Sequence, residues 1–346
     1  MKSTFLITLA AATLLLASCS NDETEPADNR PVELRLTSGV EVPQTRSTQE
    51  TSIAENEVVS VWVDNATATP VVSLYEAIQL TATADNKFTG NTKMYFPSAS
   101  AKLNIYAIHG NFATPFSADN KSFPTSAAII HTVASDQTPD QEGGRMSNYL
   151  KSDLLYAVQK GVASTGASAN HVKTQQLTFY HLLSKVEVAL KAGTGVSSLT
   201  DATVTIEGTQ LKADFKPNKD AIMVNTDNVT NNRATMVTPT ADDNDPASIT
   251  IPTITTSDFG TNTSYAEAIV VPQTITQGTT FIKVKLSGSN TELVYKITDT
   301  NGLTLESGKK YTFNLTVHLT ELTVTSEIKP WESAGDTPTS GEATMN

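Results

Sequence analysis

Apolar residues in this chain fall in short runs that stop at glycine, asparagine, aspartate or proline, and in the first and last of them they return at every second position. In the first such run Val32, Leu34, Leu36, Val40 and Val42 all hold even positions, with Ser38 in the gap. A period of two puts these side chains on one face of a strand and their neighbours on the other, which points away from a helical fold. Further short strands follow, separated by turn clusters: Val58–Val63 before Asp64-Asn65, Leu103–Ile108 before Gly110-Asn111, Leu177–Leu190 before Gly193 and Ala202–Ile206 before Gly208. Ala268–Val271, Thr280–Leu286 and Leu293–Ile297 continue the series, stopped by Pro272, Ser287-Gly288 and Asp299–Gly302. Threonine fills 53 of 346 positions, and a β-branched polar residue suits the wet face of a half-buried strand. Short strands with regular turns are the pattern of β-sandwiches, and the length fits two of them meeting near residue 180. Asn148–Val158 has room for one short helix, although Asp153-Leu154-Leu155-Tyr156-Ala157 reads equally as a strand. Ser135–Arg145 and Asn225–Pro246 read as long polar loops.

Chemistry is hard to find. A net charge of −12 argues against nucleic-acid binding, which needs a basic face. One cysteine excludes a disulfide framework and any multi-cysteine metal site. His109, His131, His171, His181 and His318 show no metal-ligand spacing; the best pair, His171 and His181, stands ten residues apart. No G-x-S-x-G elbow, phosphate-binding glycine loop or H-E-x-x-H is present. The acidic run Asp242-Asp243-Asn244-Asp245 lacks the spaced oxygens and terminal Glu of a calcium loop and reads as solvated. No two carboxylates stand out for glycoside hydrolysis. The expectation is a non-enzyme with no catalytic residue, no cofactor and no metal.

The start of the chain reads as an address. Lys2 precedes Phe5–Ala17, whose only polar members are Thr8 and Thr13. As a helix this run would be about 20 Å long, short of a hydrocarbon core of about 30 Å but suited to a signal peptide. It ends in Leu16-Ala17-Ser18-Cys19, which resembles a bacterial lipobox. The resemblance implies cleavage between Ser18 and Cys19, removal of residues 1–18, and lipid (diacylglycerol, then palmitate-type acyl chains) on the Cys19 sulfur. Each buried CH₂ contributes about 0.8 kcal/mol, so several chains on one cysteine anchor stably. Ser20 is compatible with transfer to the outer membrane, and Asn21-Asp22-Glu23 resembles the acidic export tags of Bacteroidetes surface lipoproteins. No second apolar span follows, so anchoring rather than crossing is expected. Asn21–Arg30, acidic and containing Pro26, reads as a tether.

Several further segments resemble the fimbrillin family of Bacteroidales surface pilins, including its Mfa-like members. Thr45-Arg46 followed by Val58–Val63, with Trp62 inside it, is similar to the family's cleavage arginine and Trp-bearing strand. Ser152-Asp153-Leu154-Leu155-Tyr156-Ala157 and Phe179-Tyr180-His181-Leu182-Leu183-Ser184-Lys185-Val186 are further matches. The most specific is Ser307-Gly308-Lys309-Lys310-Tyr311-Thr312-Phe313-Asn314-Leu315, continuing to Ile328-Lys329-Pro330-Trp331. The resemblance implies an all-β fold of two transthyretin-like Greek-key sandwiches in tandem after a lipoprotein signal peptide. It also implies an arginine-specific surface protease that removes the first strand, and neighbouring pilin subunits as partners. The outer membrane is a partner through the lipid anchor until maturation; after it the chain belongs to the fimbrium.

On this expectation residues 19–46 are tether and removable strand, 47–180 the first sandwich, completed by 32–42 before processing, 181–331 the second, and 332–346 a tail. Of the arginines near the start, Arg35 lies within the strand and Arg30 before it. Only Arg46 follows it in a polar linker, so cleavage is expected between Arg46 and Ser47. The displaced face is Val32, Leu34, Leu36, Val40 and Val42. A replacement strand is expected at about 320–331, carried by Leu322, Val324, Ile328 and Trp331. Tyr311, Phe313, Leu315, Val317 and Leu319 hold odd positions, whereas Leu322, Val324 and Ile328 hold even ones. That slip means two strands or one bulged strand. Leu34-Arg35-Leu36-Thr37-Ser38-Gly39-Val40 and Leu322-Thr323-Val324-Thr325-Ser326-Glu327-Ile328 share one pattern, which suggests the second fills the place of the first in the same direction. The alternative function is a tip or accessory adhesin, or a surface lipoprotein that binds glycan or protein without forming the shaft.

Overall fold

The computed structural model of the chain describes residues 30–41, 52–117, 119–125, 128–137, 148–223, 232–240, 247–252, 254–255, 263–290, 292–319, 321–330 and 341–344. Residues 1–18 with Ser18, then Cys19, Val42, Arg46, Ser47, the acidic run 242–245 and Trp331 lie outside the described residues.

Nearly every described element is a strand. The first half holds β1 (Glu33–Val40), β2 (Val58–Asn65), β3 (Val72–Ala82), β4 (Phe88–Thr89), β5 (Met94–Tyr95), β6 (Lys102–His109) and β7 (Ile129–Thr132). Helix α1 (Asn148–Ser152) then leads into β8 (Leu155–Ala163) and β9 (Val172–His181). The ambiguous stretch is therefore both: one helical turn, then a strand. The second half runs β10 (Ser184–Ala192), β11 (Thr203–Thr209), β12 (Lys212–Phe215), helix α2 (Arg233–Met236), β13 (Val237–Pro239), β14 (Ala247–Pro252), β15 (Ile254–Thr255) and β16 (Thr263–Val270). It closes with β17 (Gln273–Ile275), β18 (Thr280–Lys285), β19 (Glu292–Lys296), β20 (Leu303–Leu305), β21 (Lys309–Val317), β22 (Leu322–Pro330) and β23 (Gly341–Thr344). The stretch read as a polar loop, 225–246, thus contains α2 and β13.

In the first half the order β4-β3-β2-β6-β8 continues through a two-residue corner, Leu155↔His181 and Tyr156↔Tyr180, into β9-β1-β5. The chain folds there so that Leu34, Leu36 and Val40 of β1 share one core with Val59, Val61 and Val63 of β2 and with Leu177 and Phe179 of β9. In the second half β15-β16-β10-β21-β22-β23 and β14-β11-β18-β19 enclose another core, with Val186, Val188 and Leu190 set among Ile206, Phe281, Val284 and Phe313.

The sheet β2-β6-β8 is buried on both faces, and its alternation sorts residues between the two cores. Val61, Ile105 and Ala157 point into the first, while Trp62, Tyr106 and Tyr156 join the second. Near-continuous apolar runs such as Leu103–Ile108 are what a doubly buried strand requires. Trp62 anchors this face: its Nε1–H donates to the Lys121 carbonyl at 2.6 Å, and Phe116 and Phe123 meet it edge-on at 4.8 and 5.3 Å. Strand β7 also crosses over, pairing Phe215↔Ile129 with β12.

The run Leu177–Leu190 is two strands, not one. β9 ends at His181, and Leu182 and Leu183, both fully buried, make the bend into β10. A bend whose own residues are core carries no turn signal. The phase slip after Leu319 is likewise a change of strand. His318 N–H donates to the Glu321 carbonyl at 2.9 Å, closing a hairpin between β21 and β22.

Candidate functional site

Strand β1 occupies a slot. All eight of its residues pair in parallel with β9, from Glu33↔Val172 to Val40↔Phe179. On its other side only Glu33 and Leu34 pair with β5, and Thr37 bridges to Lys87. Single bonds complete that side: Phe96 N–H to the Val32 carbonyl at 3.0 Å and Ser38 N–H to the Asn86 carbonyl at 2.8 Å. The expected inner face is largely as read. Leu34, Leu36 and Val40 are buried with Ser38 between them, while Val32 is half-buried at the mouth. Arg35 points to solvent and forms an ion pair with Glu33 at 3.0 Å, which holds the Glu33 carboxyl below its usual range through their hydrogen bond. At Gly39 a Cβ would meet only the end of the exposed Gln176 side chain on β9.

The far end of the slot is closed by an ion pair. Glu41 continues the β9 ladder, its N–H donating to the Phe179 carbonyl at 2.9 Å. Its Oε2 accepts from Arg233 Nη2 at 2.7 Å. Arg233 opens α2, in the second half, and its side chain is only 3% exposed. Nε and Nη2 both donate to the Met223 carbonyl, at 2.9 and 2.6 Å, and the guanidinium lies over the Tyr180 ring, 5.0 Å from its centre. Burial lowers the Arg233 pKa to about 10 despite the Glu41 charge, and burial raises that of Glu41 against the pull of Arg233.

Three separated sequence motifs converge on this pair. Gly308 sits at φ +69°, and a Cβ there would fall 2.5 Å from Arg233 Nη1, so the glycine makes room for the arginine. Next to it Ser307 Oγ donates to the Leu182 carbonyl at 2.7 Å, and Gly308 N–H to the Leu183 carbonyl at 2.9 Å. His181, one residue beyond Tyr180, pairs through Nδ1 with the Asp153 carboxylate at 3.0 Å. From Asp153 a buried polar seam runs on. The Asp153 carbonyl accepts from His109 Nδ1 at 2.8 Å, and His109 Nε2 meets Glu57 Oε2 at 2.7 Å. Burial opposes the charge on His109, but the Glu57 hydrogen bond and carboxylate outweigh it and the pKa rises. His131 is the reverse case. Burial takes its pKa down to about 4, and its bonds fit the neutral ring: Nε2 donates to the Ser152 carbonyl at 2.9 Å, while Nδ1 accepts from Asn111 N–H at 3.1 Å. Among the described residues no three His, Cys, Asp or Glu are placed to hold a metal ion.

The segment expected as a replacement strand lies on its own sandwich. β22 pairs with β21 from Val317↔Leu322 to Lys309↔Pro330, with β23 along its outer edge at Thr323↔Thr344 to Ser326↔Gly341. Leu322 and Val324 are buried, but Ile328 is 42% exposed, so one of the four expected apolar positions has no core to enter here. Arg233 and Glu41 were not singled out in the sequence. One signal was available: Arg233 is the only Lys or Arg between Lys219 and Lys283, set in an otherwise polar stretch.

The sequence model of a family described as fimbrillin-like matches residues 45–331. Among solved structures, a candidate cell adhesion protein of Bacteroides ovatus superposes with a TM-score of 0.57 at 19% identity, covering 89% of this chain and 99% of its own. A second, from Bacteroides uniformis, gives 0.53 at 18% identity, covering 89% of this chain and 100% of its own. At these identities the likeness is one of fold. No curated protein matches the sequence.

Proposed function

The chain belongs to the fimbrillin-like family, and on that premise we propose that it is a structural subunit of cell-surface fimbriae. In this reading it is exported as a lipoprotein held through Cys19, cut after Arg46 by an arginine-specific protease, and polymerised by strand exchange. Residues 19–46 leave on maturation. The strand Leu322–Trp331 of a second copy then fills the slot left by Val32–Val42.

The observation that carries the proposal is the pairing of β1. It has a buried inner face, a full ladder on one side, a partial one on the other, and a polar linker with Arg46 behind it. Emptying the slot exposes several hundred Å² of apolar surface, on the order of 5–10 kcal/mol as an upper figure. That cost drives refilling rather than merely permitting it. The chain carries both halves of the exchange, a removable strand and a terminal one, which favours a shaft position over a terminal one.

Arg46→Ala tests the reading. Treatment of the wild-type chain with a trypsin-like protease is expected to give subunits beginning at Ser47 that form filaments by electron microscopy, and the variant is expected to remain monomeric. Filaments from the uncut variant sink the proposal.

A further inference from the structure

We propose that the cavity at the end of the sheet where β2 begins and β6 ends is a binding site for one acidic sugar residue. In it Glu57 Oε1 accepts from a ring hydroxyl, and the Lys151 ammonium pairs with the sugar's carboxylate. Every residue of the site lies downstream of Arg46, so it is present before and after processing, and the inference does not rest on strand exchange.

The cavity measures about 310 Å³, near the lower end of small-molecule sites and roomy enough for a single ring. Its walls divide by chemistry. On one side Phe112 and Phe116, edge to face with centres 5.5 Å apart, form an apolar corner. Aromatic faces are negative and the C–H bonds of a pyranose are weakly positive, so the corner suits the apolar face of a sugar ring. On the other side stand Ser60 and Gln79. Gln79 Nε2 donates to Ser60 Oγ at 2.9 Å and to the Ala77 carbonyl at 3.0 Å, which fixes both side chains as a polar edge.

Two groups in this lining lack what their chemistry requires. Glu57 is fully buried, and among the described residues its Oε1 has no hydrogen-bond partner. The protonation of the carboxyl does not change that. The Asp153 carbonyl can only accept, so His109 Nδ1 carries a proton, and the 2.7 Å contact of Nε2 with Glu57 Oε2 holds one more between the two residues. Wherever that second proton sits, the pair has no net charge and Oε1 is an acceptor. The second group is Lys151, half-buried on α1. It makes no hydrogen bond or ion pair among the described residues, so an uncompensated positive charge stands in the wall.

A ligand that answers both offers a donor at depth and an anion nearer the surface. An ammonium as the deep donor would be buried without a counter-charge, because the Glu57–His109 pair is neutral. A hydroxyl carries no such penalty. Hydroxyl, carboxylate and an apolar ring face together describe a uronic acid.

Calorimetry and NMR on the full chain test the proposal, with D-galacturonate, D-galactose and glycine as probes. Galacturonate is expected to bind at least about threefold more tightly than galactose, the effect of one partly screened ion pair, and glycine not to bind. Lys151→Met is expected to remove the preference and leave galactose unchanged. Val58→Trp, at a lining position that is 39% exposed, is expected to fill the cavity and abolish binding of both sugars while the urea midpoint stays at the wild-type value. Galacturonate is further expected to shift the ring signals of His109, which touches Glu57, and to leave those of His318, beyond β21, in place. Equal affinity for the two sugars, tighter binding of glycine, binding that survives Val58→Trp, or unmoved His109 signals would each overturn the proposal, as would the failure of either sugar to bind.

Discussion

Each half of the molecule begins with a strand that pairs in parallel with one near its end, β1 with β9 and β10 with β21, and the two first strands are held very differently. β10 pairs along Lys185–Ala192 with β21 and along Ser184–Lys191 with β16, and two buried leucines join it to β9. β1 has an equally complete ladder with β9 but only fragments on its other side. Their inner faces are alike: Val186, Val188 and Leu190 on one, Leu34, Leu36 and Val40 on the other, all buried. Burial therefore does not tell the two strands apart. The second neighbour does.

The largest expected effect puts that difference to trial. Val188→Asp drives an uncompensated carboxylate into a fully buried site and is expected to cost at least about 4 kcal/mol in urea unfolding, before and after processing. Leu36→Asp is expected to cost the unprocessed chain as much, and the protein cut after Arg46 nothing. Equal loss in the processed protein would mean that β1 remains part of the mature fold.

A smaller effect probes the junction that makes the halves one body. His131 has a folded pKa of about 4 against 6.5 in the unfolded chain, so its contribution to stability is present above 6.5 and lost as pH falls toward 4. The full loss is about 3 kcal/mol. His109 acts in the opposite window, because its folded value is raised: its contribution is present below 6.5 and fades as pH climbs through that raised value. Unfolding free energy measured from pH 7 to 4 is expected to fall less steeply in His131→Asn than in the wild type. An unchanged slope would remove His131 from the acid response. The smallest effect is at the mouth of the slot. Arg35→Ala removes an exposed pair and is expected to leave the urea midpoint of the unprocessed chain unchanged.

The strands with a clear period of two were legible, because a face packed on one core repeats every second residue. That holds for β1, for β21 and, with the hairpin after Leu319, for the place where the phase slips. β2 and β6 carry near-continuous apolar runs interrupted at Ser60 and Asn104, which go with their double burial, although by themselves the runs read only as short strands. Strands of two or three residues such as β4, β5 and β13 are too short to show any period and exist only through their partners. The bend at Leu182-Leu183 escaped notice because turn chemistry belongs to exposed bends. The closing pair was the least legible feature. Glu41 and Arg233 lie 192 residues apart, and each alone looks like an ordinary surface charge. Asp153 and His181 were noticed as parts of separate motifs, but a sequence does not show that two motifs touch.

The ladder between β1 and β9 has a mechanical side. A load drawn across such a ladder opens it one bond at a time from an end, whereas a load along the strand strains every pair together and must break them together. Eight consecutive pairs closed by an ion pair at one end make a short joint that is weak to peeling and strong to shear. Whatever strand lies in that slot inherits the same anisotropy, and a fibre whose axis follows its strands would be hard to pull apart yet open to being unzipped from an end.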